Sequence, residues 1–238
     1  MSLRVSYKII GDSFKEPYEL ETRPGVWRFD LTEDGKSWLD VFKMSKEFLL
    51  TPEEFETFWD LHPEKKGKVK IMGKEYETPR WQQSYLKKYW FSGMTHDPLP
   101  LPKEFKAYLG LANSSGYEVC PGKRAVFNEV LVNWYEDGTM GIGPHSDDTG
   151  NLVLGPGGET FVWSATLCDE WKKPRTFRIK PKTGGKDRLD IAAANGLVMV
   201  MGGTCQQTHK HQVPQVKENR TYARCGKRIN ITCRTFKD

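Results

Sequence analysis

From Phe127 to its end the chain reads as one short strand after another, and that succession leaves few architectures open. Apolar or alternating runs fall at 127–135, 160–167, 175–180, 196–201 and 228–236, parted by glycine-rich or charged loops. Many short strands with few helices among them predict a mainly β fold, a sandwich or jelly roll. The N-terminal part adds hairpins and helices. Runs at 26–31 and 37–44 flank Asp34-Gly35, a strong hairpin turn. Thr51-Pro52-Glu53-Glu54 is a capping box with proline at the first helical position. Phe55, Phe58 and Trp59 give that helix an apolar face, and Pro63 is expected to end it. A second hairpin is expected over 69–76, turning near Met72-Gly73, then an aromatic-rich strand over 85–92 and a helix from about Pro102. With no linker or repeat, 1–238 reads as a single domain: an extension to about residue 65, a hairpin region at 66–125 and a core at 126–238.

Composition excludes several classes. Hydrophobic residues make up 37% and charged residues 28%, which is globular and rules out disorder and collagen. No apolar run approaches the roughly 20 residues of a membrane helix, so no membrane partner is expected. The opening Met-Ser-Leu-Arg-Val-Ser-Tyr-Lys has no apolar signal core, and the five cysteines form no CxxC pair. An intracellular protein with reduced thiols is the expectation, nuclear in a eukaryote and cytoplasmic otherwise. The net charge of +5 is uneven. The first 60 residues hold 8 Lys/Arg against 13 Asp/Glu, and the remainder 28 against 18. Basic clusters at 65–74 and 172–188 suit a phosphate backbone, or equally a solvated lysine-rich surface.

His145-Ser146-Asp147 places two metal-ligand types two residues apart, with Gly141, Gly143 and Pro144 to turn the backbone there. Two histidines and one carboxylate make a facial triad for Fe(II) that leaves positions open for substrate and oxygen. The second histidine must come from far along the chain, and His209 and His211 are the candidates. Both follow the apolar run Leu197-Val198-Met199-Val200-Met201, so a ligand at the end of a barrel strand is sensible. A zinc site from Cys205, His209, His211 and Cys225 is a weaker alternative whose spacings fit no zinc motif.

The last strand carries the most information. Arg228-Ile229-Asn230-Ile231-Thr232-Cys233-Arg234 alternates without a break, so Arg228, Asn230, Thr232 and Arg234 share one face. If that face lines the barrel, the arginines are buried charges that need anions, and a dicarboxylate would supply them through bidentate hydrogen bonds. A solvent-facing strand would alternate in the same way. Asn133 and Tyr135 form a second same-face pair shortly before His145.

Asn133-x-Tyr135, His145-x-Asp147, His211 before Val213-Pro214, and Arg228-x-Asn230-x-Thr232-x-Arg234 together resemble, in order, the signature of the AlkB-type Fe(II)/2-oxoglutarate dioxygenases. The resemblance covers about residues 72–236, and its closing strand motif is far more specific than H-x-D alone. It implies a double-stranded β-helix (jelly roll, cupin-like) core with nucleotide-recognition hairpins at 66–125. It implies His145, Asp147 and His211 as ligands of Fe(II), and Asn133, Tyr135, Arg228, Asn230, Thr232 and Arg234 as the residues holding 2-oxoglutarate. Pro79-Arg80 and Tyr89-Trp90-Phe91-Ser92-Gly93 look like the nucleotide-recognition region of the members that repair duplex DNA. By that likeness Arg80, Tyr89, Phe91, Ser92 and Asp148 contact substrate. Phe91 would stack on a flipped base opposite His145, and Met72 would be a wedge at a hairpin tip.

The implied activity is oxidative removal of N-methyl groups from bases of the 1-methyladenine and 3-methylcytosine type, in DNA or RNA, with 2-oxoglutarate converted to succinate. A monomer acting on nucleic acid is expected. Relatives usually read His-x-Asp-Asp-Glu where this chain has Thr149, which puts substrate identity in question. The rivals are an oxygenase of the same fold with an RNA, protein or lipid substrate, and a non-catalytic nucleic-acid-binding module.

Overall fold

The computed structural model describes residues 5–91, 94–120, 122–169, 172–216 and 225–237. Its N-terminal part contains β1 (Tyr7–Ile10), β2 (Tyr18–Glu19), β3 (Trp27–Asp30), β4 (Ser37–Lys43), a 3-10 turn over Lys46–Phe48 and helix α1 (Pro52–Trp59). The capping box at α1 closes as expected: the Glu54 amide donates to the Thr51 hydroxyl, and the Thr51 amide donates to the Glu54 carboxylate. The helix stops at Trp59, short of Pro63. Next come the hairpin β5 (Lys68–Ile71) and β6 (Lys74–Glu77), strand β7 (Trp81–Tyr85), and the hairpin β8 (Tyr89–Phe91) and β9 (Met94–His96).

After α2 (Lys103–Ser114) and the small pair β10 (Glu118–Cys120) and β11 (Lys123–Arg124), strands dominate. They are β12 (Glu129–Tyr135), β13 (Ile142–His145), β14 (Thr160–Cys168), β15 (Arg175–Pro181), β16 (Arg188–Ala193) and β17 (Leu197–Gly203). One helical turn, α3 (Cys205–Thr208), precedes β18 (His209–Val213), and β19 (Arg228–Arg234) closes the chain.

Two antiparallel sheets face each other as a jelly roll. The larger has the order β2-β3-β4-β17-β14-β19-β12-β7, the smaller β1-β16-β15-β18-β13. Between them lies an apolar cluster that draws Leu39, Val41 and Met199 from the large sheet and Phe177, Ile179, Leu189 and Ile191 from the small one. The large sheet's other face carries Val130, Val132, Trp134, Trp163, Ile229 and Ile231, and packs on Phe58, Phe105, Tyr108 and Ala112 of α1 and α2. Both faces of the β12–β19 region are therefore covered. Arg175, at the start of β15, is buried, and its guanidinium donates to the carbonyls of Asp137, Met140 and Pro214. Among the described residues no helix is long and apolar enough to cross a membrane.

The expected strand over 85–92 is in fact two. Trp81–Tyr85 joins the large sheet beside β12, and β8 belongs to a separate hairpin. The break falls at Leu86, held at φ 71° with its amide bonded to the Leu99 carbonyl. That left-handed backbone turns the chain out of the sheet. The signals for β1, β13, β16 and β18 are weak because these strands are short and charged or polar residues interrupt their apolar ones, as Lys8 does in β1 and Asp190 in β16.

Candidate active site

The alternation of β19 resolves in favour of the barrel interior. Its register against β12 pairs Arg234 with Glu129, Thr232 with Leu131, Asn230 with Asn133 and Arg228 with Tyr135. Directly paired residues in an antiparallel ladder share a face, so these side chains form one inward stripe, while Ile229, Ile231 and Cys233 enter the opposite core. The small sheet supplies the facing wall. His145 ends β13 and pairs directly with His211 of β18. His211 therefore sits within a strand of its own, not in the loop after β17.

Asp147 follows His145 in a bend fixed by two bonds: its amide donates to the Gln206 side-chain oxygen at 2.8 Å, and the Ser146 hydroxyl donates to the His209 carbonyl at 2.7 Å. Ligand atoms of His145, Asp147 and His211 all lie within 4.8 Å of one another. Each imidazole Nε2 is 4.0 Å from Asp147 Oδ1, and the two rings are 4.2 Å apart, centre to centre. His145 Nδ1 donates to the Gly143 carbonyl at 2.9 Å, which leaves Nε2 with its lone pair toward the cluster. Phe177 stacks on the His211 ring.

The electrostatics set the protonation states that a divalent metal requires. Burial pushes the His211 imidazole down to about 3, helped by His145, and burial also lowers His145. Burial alone would raise the Asp147 carboxyl, but Arg234, with both histidines nearby, holds it well below the usual carboxylate range. Arg234 does so directly: Nε and Nη2 donate to the two Asp147 oxygens at 3.1 and 3.2 Å, and Nη1 donates to Glu129 at 3.1 Å. Two neutral imidazoles and an ionised carboxylate converging at the end of a barrel are the donor set of a non-haem Fe(II) centre.

The residues also fit 2-oxoglutarate. Arg228 is 1% exposed, donates through Nη2 to the Thr166 hydroxyl at 3.1 Å, and has Nε and Nη1 buried with no hydrogen-bond partner among the described residues. A buried cation with two unused donors calls for a carboxylate. One cavity is lined by His145, Asp147, His211, Asn133, Tyr135, Asn230, Thr232 and Arg234, and Arg228 lies beside it opposite Tyr135. Within this set Asn230 already donates to the Ser164 hydroxyl and the Ala165 carbonyl, and accepts from Thr232.

The expected substrate residues are spread more widely. Met72 stands at the β5–β6 tip, 99% exposed, at φ 50°. Arg80 is buried and lines the metal cavity, donating to Asn133 Oδ1 and Gln82 Oε1, both at 2.7 Å. Tyr89 and Phe91 occupy alternate positions of β8, and Ser92 lies outside the described residues. Asp148 is exposed and accepts from the Gly150 amide, and Thr149 is half-buried.

Glu129 and Gln206 escaped the sequence reading. Glu129 stands two positions before Leu131 and four before Asn133, so the period-2 rule already placed it on the functional face. Burial pushes its carboxyl up to about 7 against the pull of Arg234. A carboxyl raised in the folded state holds its proton more tightly there, so its contribution is full below the unfolded value near 4.5 and is lost as pH rises through 7. Urea unfolding of the metal-free chain at pH 5 and pH 8 is expected to show wild type losing more stability over that interval than Glu129→Gln. The difference should be on the order of 3 kcal/mol at most. Equal losses in the two proteins would remove Glu129 as the titrating group.

Comparison with known proteins agrees with this geometry. The family model of the 2OG-Fe(II) oxygenase superfamily matches residues 46–234. The DNA oxidative demethylase ALKBH2 of Mus musculus is 30% identical over 176 residues, 71% of this chain and 66% of the relative. The alpha-ketoglutarate-dependent dioxygenase alkB homolog 3 of Rattus norvegicus is 27% identical over 153 residues, 62% of this chain and 46% of the relative. The chain thus spans less than two thirds of either relative's length. The solved structure of OsALKBH1 superimposes with a TM-score of 0.51 at 16% identity, over 92% of this chain and 100% of that one, and shares the fold.

Proposed function

We propose that this chain, which belongs to the 2OG-Fe(II) oxygenase superfamily as an AlkB-type member, oxidatively removes N-methyl groups from nucleobases in DNA or RNA. The observation that carries the reading is the convergence of His145, Asp147 and His211 in one cavity with the inward stripe of β12 and β19. When bound, Fe(II) and 2-oxoglutarate supply O2-dependent oxidation of a C–H bond, with succinate and CO2 as co-products. His145 and His211 offer neutral nitrogens to the metal, and Asp147 offers a carboxylate that Arg234 keeps ionised and oriented. Arg228 takes the distal carboxylate of 2-oxoglutarate, and Asn133 and Tyr135 orient the rest of the molecule. The two packed sheets exclude water from the reacting centre. A methyl group hydroxylated on a base nitrogen collapses to formaldehyde and the repaired base.

A base inside a duplex is out of reach of such a site, so the nucleotide must be extruded. We assign this work to residues 66–125. Met72 fills the gap, Tyr89, Phe91 and Ser92 receive the nucleotide, and Arg80 and Asp148 border its path. On this reading the chain works as a monomeric domain on nucleic acid inside the cell, in the nucleus of a eukaryote and in the cytoplasm otherwise.

The test is release of formaldehyde and succinate, with Fe(II) and 2-oxoglutarate, from oligonucleotides carrying 1-methyladenine or 3-methylcytosine. Matched release of both products is expected. Succinate without formaldehyde on every nucleic acid tried would assign the site to another substrate, and no succinate at all would make the chain a binding module. Met72→Ala is expected to lower kcat/KM on duplex substrate about tenfold and leave single strands nearly unchanged, since the wedge replaces roughly 1–3 kcal/mol of stacking. Equal loss on both substrates would remove the wedge.

A further inference from the structure

The small sheet turns its apolar side chains inward and leaves an outer face whose charge folding does not require. On β15, Phe177 and Ile179 point into the core, so Arg178 and Lys180 point out. On β18, His211 and Val213 point in and Lys210 points out, while Gln212 is half-buried and borders the cavity. The register sets Lys180 directly opposite Lys210, and Arg178 opposite Gln212. Across β16, Asp190 faces Arg178 on one side and Lys8 of β1 on the other, and Arg188 pairs with Ile10. Five cations therefore share this face with one carboxylate. Asp190 is committed to Arg178, at 2.5 and 2.7 Å, and to Arg188, at 3.4 Å. Lys8 and Lys210 are exposed, and Lys182, just beyond β15, is exposed as well.

Like charges directly opposed on neighbouring strands destabilise a sheet. The Lys180–Lys210 pair has that cost with no carboxylate across either strand at that level, since Lys180 lies beyond the last β15–β16 pair. A ligand of opposite charge recovers it. The face is otherwise polar, with Ile10 as its large apolar residue, so it lacks the apolar anchors that a membrane-lying surface uses. A phosphate backbone is the complementary partner.

We propose that the outer face of the small sheet, centred on Lys180 and Lys210, is a second contact for the phosphate backbone of nucleic acid, separate from the metal cavity that opens inside the sheet. The proposal rests on the nucleic-acid reading given above. It extends that reading to long substrates, whose flanking strand runs over the outside of the barrel. Lys180 and Lys210 act as electrostatic contacts and read no sequence.

The experiment compares wild type with the charge-reversed double variant Lys180→Glu/Lys210→Glu. It measures binding to a long unmodified duplex across a salt series, and turnover of a short methylated oligomer that cannot reach round the sheet. Unfolding curves guard against a folding defect, and Lys180→Ala/Lys210→Ala serves as a milder variant that should be no less stable than wild type. The double reversal is expected to weaken duplex binding at least about tenfold at low salt and to lower the slope of log K against log salt by about 2, with the short oligomer turned over as before. An unchanged affinity and slope in both variants would overturn the proposal while leaving the nucleic-acid reading intact. Wild type that binds no oligonucleotide but binds phosphatidylserine vesicles overturns both.

Discussion

Arg228→Met is expected to abolish turnover dependent on 2-oxoglutarate while stabilising the metal-free chain. The two effects have one cause. Without a bound dicarboxylate the Arg228 guanidinium is buried at 1% exposure with two N–H groups unpartnered, which costs folding free energy. Methionine fills similar volume without that cost, so the apo variant should unfold at higher urea than wild type. With 2-oxoglutarate present the sign reverses. Losing one partner of a buried charge pair costs about 2–5 kcal/mol, or roughly 30-fold to several thousand-fold in kcat/KM for 2-oxoglutarate. Added 2-oxoglutarate should raise the unfolding midpoint of metal-loaded wild type and leave that of Arg228→Met unmoved. A variant that is still stabilised by 2-oxoglutarate would place the distal carboxylate elsewhere.

Asp147→Asn is the second large effect, and it should damage stability and chemistry together. Asparagine is nearly isosteric but cannot supply a carboxylate to Fe(II), so metal affinity and turnover fall by orders of magnitude. The Arg234 fork, which grips both Asp147 oxygens, then keeps its bond to Glu129 but faces a neutral amide in place of the Asp147 charge. Removing one member of a buried ion pair typically costs about 3–5 kcal/mol. His145→Ala should abolish turnover to a similar degree with a smaller loss of stability, because its side chain is 16% exposed and its hydrogen bond goes to an uncharged carbonyl. If Asp147→Asn kept wild-type iron affinity, the assignment of the metal centre would fail.

The strand from Arg228 to Arg234 shows why so much of this site was legible. Alternation by twos is a geometric property of strands, so four polar residues on one face announce a shared environment before any coordinates exist. Only the choice between cavity and solvent needed the fold, because an exposed strand alternates identically. The His145-x-Asp147 turn was readable from its glycines. The place of His211 was harder: β18 is short, with His209, Lys210 and Gln212 obscuring its period, and its strand character comes from pairing on both sides with β13 and β15. Glu129 was overlooked because a glutamate beginning an apolar run looks like a solvated strand end. It is buried because β7 and β19 flank it, a long-range fact. The break at Leu86 depends on Leu99, which is likewise far along the chain.

Arg175 has a consequence for how substrate arrives. Its guanidinium ties the carbonyls of Asp137 and Met140, just before the strand bearing His145, to that of Pro214, just after the strand bearing His211. The histidine-bearing ribbon is thus clamped at one end by a single side chain, and this rim of the barrel is fixed. Any movement that admits substrate therefore falls to the two-stranded hairpins β5–β6 and β8–β9, whose strands pair with each other and not with this ribbon.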